Sequence, residues 1–115
     1  MEHVAKVEIH AVQDGNLTRG WVHTHGMFEY DLPELEMRHV PLFLVHAAAQ
    51  VLQEVCDYML TAPTPVLAGQ TMRLGHALLR FAAPVPIPGA EEHYQHPCLQ
   101  IVDADPVCDC CRGGA

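Results

Sequence analysis

His23 and His25 stand two residues apart, and in an extended strand side chains two apart share a face. Two imidazoles on one face are half of a zinc site, which takes three or four nitrogen, sulfur or oxygen ligands. The preceding segment offers more. Residues 4–12 alternate, with Val7, Ile9 and Ala11 on one side and Lys6, Glu8 and His10 on the other, and Asp14, Gly15 and Asn16 read as a turn. With Gly15 and Asn16 as the central pair of a type II′ turn, residue 14 faces 17, so His10 faces Trp21, Glu8 faces His23 and Lys6 faces His25. The metal candidates are therefore His23, His25, Glu8 and His10. Two imidazoles and a carboxylate leave a position for water, and zinc-bound water with a pKa near ~7 is a hydrolytic centre. Against this, Lys6 would set a positive charge beside the ion, and the same residues also make an ordinary polar hairpin face. A turn one residue longer would shift the pairing by one and dissolve the set.

Soft ligands recur in the tail. Cys108 and Cys111 have C-x-x-C spacing, and Cys98 with His96 would complete four ligands; a loose terminus with reactive thiols is the competing reading. Cys56 falls beside the apolar stripe of a helix and reads as a small core side chain. Trp21, the only tryptophan, reads as a packing residue at the hairpin rim.

The elements that must position these groups follow from periodicity. Residues 4–12 and 17–25 form the first hairpin. Pro33 denies a helix, and residues 34–37 alternate charged and apolar side chains as a short extended piece. Pro41 is expected to open a helix in which Leu44, Ala48, Val51, Leu52, Val55 and Met59 face the core while Gln50, Gln53, Glu54 and Asp57 face water. Pro63 and Pro65 end it. Residues 70–74 and 77–83 make a second hairpin around Gly75 and His76, residues 84–89 form a proline-rich extended linker, and residues 98–102 make a last apolar strand. The expected architecture is α+β, an antiparallel sheet of about five strands with one main helix on one face. Residues 1–105 form the single domain and residues 106–115 the cysteine-rich tail.

Composition limits the function classes. The chain has 115 residues, half of them hydrophobic, and a formal charge of −8, which would repel a phosphate backbone and favours a protein partner or small ligand over nucleic acid. No apolar run approaches the ~20 residues that span a bilayer, and the N-terminus lacks a signal-like core. The expected location is the cytoplasm, where five cysteines, an odd number, stay reduced rather than forming a disulfide framework.

Two resemblances bear on function. Gly20, Trp21, His23, Thr24 and His25 resemble the Gly-Trp-x-His-Ser/Thr-His signature of JAMM-type zinc isopeptidases, with Glu8 as counterpart of the upstream glutamate. That family continues with proline, serine and aspartate where this chain has Gly26, Glu34 and Met37, so only His23 and His25 carry over. A longer resemblance runs from Trp21 to about Asp105. Thr24-His25-Gly26, then Pro33-Glu34-Leu35-Glu36, then Val40-Pro41, an amphipathic helix and Leu67-Ala68-Gly69-Gln70-Thr71 are similar to bacterial domains of unknown function, some of them immunity-type proteins of toxin systems. It implies a bacterial source and a structural role for this block: Gly26 at positive φ closing a strand and Pro33 setting the next one. The first expectation is accordingly a non-catalytic binding or immunity-type domain, with no cofactor, which meets a partner through its acidic surface or forms a homodimer along a sheet edge. The alternative is a zinc protein, a metallohydrolase at His23 and His25.

Overall fold

The computed structural model describes residues 7–13, 18–62, 64–75 and 77–106. Lys6, the Asp14–Asn16 turn, His76 and the tail with Cys108 and Cys111 lie outside the described residues. The strands are β1 (Glu8–Gln13), β2 (Arg19–His25), β3 (Glu34–Pro41), β4 (Thr71–Leu74), β5 (Ala77–Ala82) and β6 (Cys98–Pro106), with one helix, α1 (Val45–Thr61). They form a single sheet in the order β1-β2-β3-β6-β5-β4. The fold is α+β as expected, but the sheet has six strands and is mixed, because β3 and β6 run parallel while every other pair is antiparallel. The physical reason is topological. β6 inserts between β3 and β5 after the chain has passed through α1 and the β4–β5 hairpin, and apolar periodicity carries no information about partner direction.

The first hairpin keeps the expected sidedness and changes its register. Glu8 pairs with His25, His10 with His23 and Val12 with Trp21, so Glu8 does not face His23, His10 does not face Trp21, and Lys6 is not the residue opposite His25. The pairing is displaced by two residues from the tight-turn register. An even displacement preserves which side chains share a face.

Helix α1 buries Ala48, Leu52, Val55, Cys56 and Met59 against β1, β2 and β3, while Gln50, Gln53, Glu54 and Asp57 are exposed. Full burial of Leu52 and Val55 is each worth about 1.5–3 kcal/mol. Pro41 does not open this helix; it ends β3, a 3-10 turn over Leu42–Leu44 follows, and α1 begins at Val45. Leu44 accordingly falls outside the buried stripe and is 43% exposed. At the other end Ala62 is already extended, as the residue before a proline must be to avoid its ring.

The core lies between α1 and the sheet, where Val22, Met27, Leu35, Leu79, Phe81 and Ile101 meet the helix stripe. The opposite face of β2 and β3 is covered differently. The proline-rich segment after β5 crosses it, held by Arg38, whose Nη2 donates to the Val85 carbonyl, and a 3-10 turn over Glu91–Gln95 closes over Trp21 and Glu36. At the end of β2–β3 the pairing slips between Gly20 and Val22, and His39 takes a positive φ of 57° opposite the slip. Such a bulge re-aims neighbouring side chains, here Trp21 and Arg38, which both reach Glu36.

Candidate functional site

Two glutamates of β3, two residues apart, are the most informative polar groups, for each is essentially fully buried. A carboxylate removed from water must be hydrogen-bonded or neutralised, so the identity of its donors indicates its purpose.

Glu34 is held almost entirely by backbone. Gly26 N and Phe28 N donate to Oε2 at 3.1 Å each, and Met27 N donates to Oε1 at 3.2 Å. The Thr24 hydroxyl adds a bond of 2.7 Å and itself accepts from Leu35 N at 2.9 Å. Gly26 has φ 118°, the conformation expected of it at the strand end, and this bend turns three consecutive N–H groups onto one carboxylate. Thr24, Gly26 and Glu34 are therefore one structural unit, and the Thr-His-Gly and Pro-Glu-Leu segments are joined through it.

Glu36 is held by side chains from distant parts of the chain. Tyr94 OH and Trp21 Nε1 donate to Oε1 at 2.7 and 3.2 Å, and Arg38 Nε donates to Oε2 at 2.6 Å. Arg38 also donates to the Tyr94 hydroxyl at 3.0 Å. Cys98 Sγ lies 3.8 Å and His93 Nε2 lies 3.6 Å from Glu36 Oε1, and Cys98 Sγ is 3.4 Å from His93 Nε2. Among the described residues, Glu36, His93 and Cys98 are the trio of metal-ligating types whose ligand atoms converge within 4.8 Å. Trp21 stacks on His23 at 3.9 Å, and His23 meets the edge of His93 at 4.7 Å. The Nδ1 atoms of His23 and His93 are buried without a hydrogen-bond partner.

The electrostatics keep these groups in their resting protonation states. Burial lowers His23 to about 4, reinforced by His93, and burial likewise lowers His93, so both imidazoles are neutral at pH 7. Burial and then the bond to Glu36 raise the Tyr94 phenol to about 12, while burial and the nearby Glu36 charge push the Cys98 thiol far up. Cys56, buried in the core as expected, is raised to about 12 by burial.

The candidates named from sequence are partly gathered. His10, His23 and His25 share one face, with ring centroids of His10 lying 5.4 Å from His23 and 5.6 Å from His25. Glu8 turns to His10 Nε2 at 3.0 Å on the exposed side. His96 does not join Cys98; it stacks on Phe28 at 4.1 Å, and Cys98 meets His93 instead. Trp21 is more than a rim packing residue, since its indole N–H is spent on Glu36. Glu36 and His93 escaped sequence reasoning. The one available signal was Glu36 itself, an acidic residue on the same strand face as Glu34 within an alternating segment, whereas nothing local ties either to residues sixty positions later.

A second region stands apart from this polar cluster. Six of the nine large hydrophobic side chains exposed among the described residues are Val12, Leu42, Phe43, Leu44, Val85 and Val102. Leu42 and Val12 flank Gly20, Val12 and Val85 line one groove with His39, and Leu44 and Val102 line another that His39 also borders. The two grooves lie on opposite faces of the sheet, one beside Trp21 and the other beside Ala48 and Ile101, and Phe43, 84% exposed, stands between Leu42 and Leu44 in the 3-10 turn that follows β3.

No curated protein and no solved structure matches the chain. A family model described as "Protein of unknown function (DUF4026) C-terminal" matches residues 9–84, from the second residue of β1 through β5, which includes Glu34 and Glu36 and leaves out Glu8, His93 and Cys98. Covering more than half of the sequence, that match makes this chain a member of the DUF4026 C-terminal family.

Proposed function

We propose that this chain is a non-catalytic binding domain that takes a protein partner on its apolar end, around Phe43. The observation that carries the reading is the run of exposed Leu42, Phe43 and Leu44 just past the bulged end of β2–β3, with exposed Val12 and Val85 in a groove on one side of the sheet and Val102 in a groove on the other. Consecutive large apolar side chains left in water mark an interaction site, where singly scattered ones do not. A partner with a basic rim suits a chain of charge −8. In the metal-free chain Cys98 and Tyr94 are held protonated and His23 neutral at pH 7, so none of these three groups is poised by itself as a nucleophile or general acid.

Photo-crosslinking tests this reading. Benzoylphenylalanine replaces Phe43 in one protein and Tyr58, an exposed residue of α1, in another, and each is irradiated in the cells that produce it. Discrete covalent adducts from position 43 and none from position 58 are expected, an adduct of twice the chain mass identifying the partner as a second copy. Adducts from neither position, or the same set from both, would overturn the reading.

A further inference from the structure

We infer that Glu36, His93 and Cys98 form a binding site for a single divalent transition-metal ion of the zinc class, distinct from the apolar end and from the His23–His25 pair.

The distances carry it. Zinc bonds of about 2.0–2.3 Å at tetrahedral angles set ligand-to-ligand edges of roughly 3.3–3.6 Å. The three edges here are 3.4 Å for Cys98–His93, 3.6 Å for His93–Glu36 and 3.8 Å for Cys98–Glu36. The His93–Glu36 separation exceeds a hydrogen bond, and an ion held between the two atoms would satisfy both. Sulfur, imidazole nitrogen and carboxylate oxygen together select a borderline-soft cation over calcium or magnesium.

The surroundings fit the same purpose. Trp21, Tyr94 and Arg38 fix the Glu36 carboxylate through 3.2, 2.7 and 2.6 Å bonds, as outer-shell partners do for ligating carboxylates. The guanidinium of Arg38 sits on the far oxygen, Oε2, while Oε1, the oxygen beside His93 and Cys98, accepts from Tyr94 and Trp21, so an ion there would share that oxygen with the two donors or displace the longer Trp21 bond. Without a cation, a Cys98 thiolate next to Glu36 would place two negative charges together, and a dipositive ion reverses that penalty. Binding therefore releases the thiol proton to solvent as the sulfur–metal bond forms. Cys98 also lines a cavity of about 620 Å³ with Leu32, Val66 and Leu67, so the trio is not sealed from the exterior.

The test is a cobalt(II) titration of untagged, reduced, chelator-treated protein. Expected are one ion per chain, visible bands of tetrahedral cobalt, a near-ultraviolet thiolate-to-cobalt transition and one proton released. Cys98→Ser removes the thiolate transition, and His93→Ala and Glu36→Gln abolish stoichiometric binding, with far-ultraviolet circular dichroism confirming the fold. His23→Ala and Cys108→Ser leave the spectrum in place. In the unaltered protein, bound cobalt protects Cys98 from alkylation, a readout that needs no variant. The inference is overturned if the unaltered protein takes up no cobalt. It is equally overturned if Cys98 alkylates as fast with the ion as without it, or if the thiolate transition survives Cys98→Ser and disappears in Cys108→Ser or His23→Ala.

Discussion

Glu34 and Glu36 lie two residues apart on one strand, both are buried, and they are solvated by opposite means. Glu34 receives three backbone N–H groups and one hydroxyl from the short stretch between Thr24 and Phe28. Glu36 receives an indole, a phenol and a guanidinium, with a thiol and an imidazole beside them, drawn from β2, β3, β6 and the 3-10 turn over Glu91–Gln95. Backbone donors cannot turn away without undoing the loop that presents them. Side-chain donors can rotate, exchange partners or share the carboxylate with an ion. A buried charge with backbone donors is therefore architecture, and a buried charge with side-chain donors is where a ligand can enter.

Breaking each carboxylate separately tests that contrast, and Glu34→Gln is expected to have the largest effect. Its amide would face N–H groups with an NH2, leaving buried donors unpaired, at a cost of about 3 kcal/mol or more in urea denaturation. Glu36→Gln should cost less, about 1–2 kcal/mol, because Arg38 keeps the Val85 carbonyl and the Tyr94 hydroxyl as partners. Equal losses would erase the distinction.

Acid should act on the Glu36 side through His23. The folded-state pKa near 4 lies below the ordinary 6.5, so between those values the unfolded chain binds a proton that the native state refuses. Stability of the metal-free protein therefore declines as pH falls from about 6.5 towards about 4, and His93, shifted in the same direction, adds to the slope. His23→Gln should flatten the decline in urea midpoints measured across that range. An unchanged slope would remove His23 from the explanation. The smallest expected effect on stability is that of Phe43→Ser, within about 0.5 kcal/mol, since the side chain is 84% exposed. The same substitution should abolish retention on an apolar chromatography resin, which would persist if other surfaces carry it.

The two glutamates also mark what can be read from a sequence. Thr24, Gly26, Pro33 and Glu34 are close along the chain, and a structural role for Gly26 and Pro33 was expected from the family resemblance, but Glu34 as the acceptor that ties the bend together is seen only in the fold. The stripe of α1 and both hairpins were legible because their patterns are local. The register of β1 on β2 was not, because a change of two residues in the intervening loop moves every pair while leaving the apolar alternation untouched. That shift took Glu8 from His23 to His25. The Glu36 site was legible least of all. It depends on β6 arriving parallel to β3 and on a 3-10 turn that no apolar period announces, so Cys98 and His93 meet Glu36 only in the finished fold.

The division of roles between the two carboxylates is tested most directly by urea unfolding of the unaltered protein and of Glu36→Gln, each with and without zinc. A ligand that binds only the folded state at a hundred times its dissociation constant adds about 2.7 kcal/mol. The unaltered protein should show a zinc-dependent rise of that order and Glu36→Gln none. A midpoint unmoved by zinc in the unaltered protein, or raised equally in both, would contradict the assignment of Glu36 as the ligand-holding carboxylate.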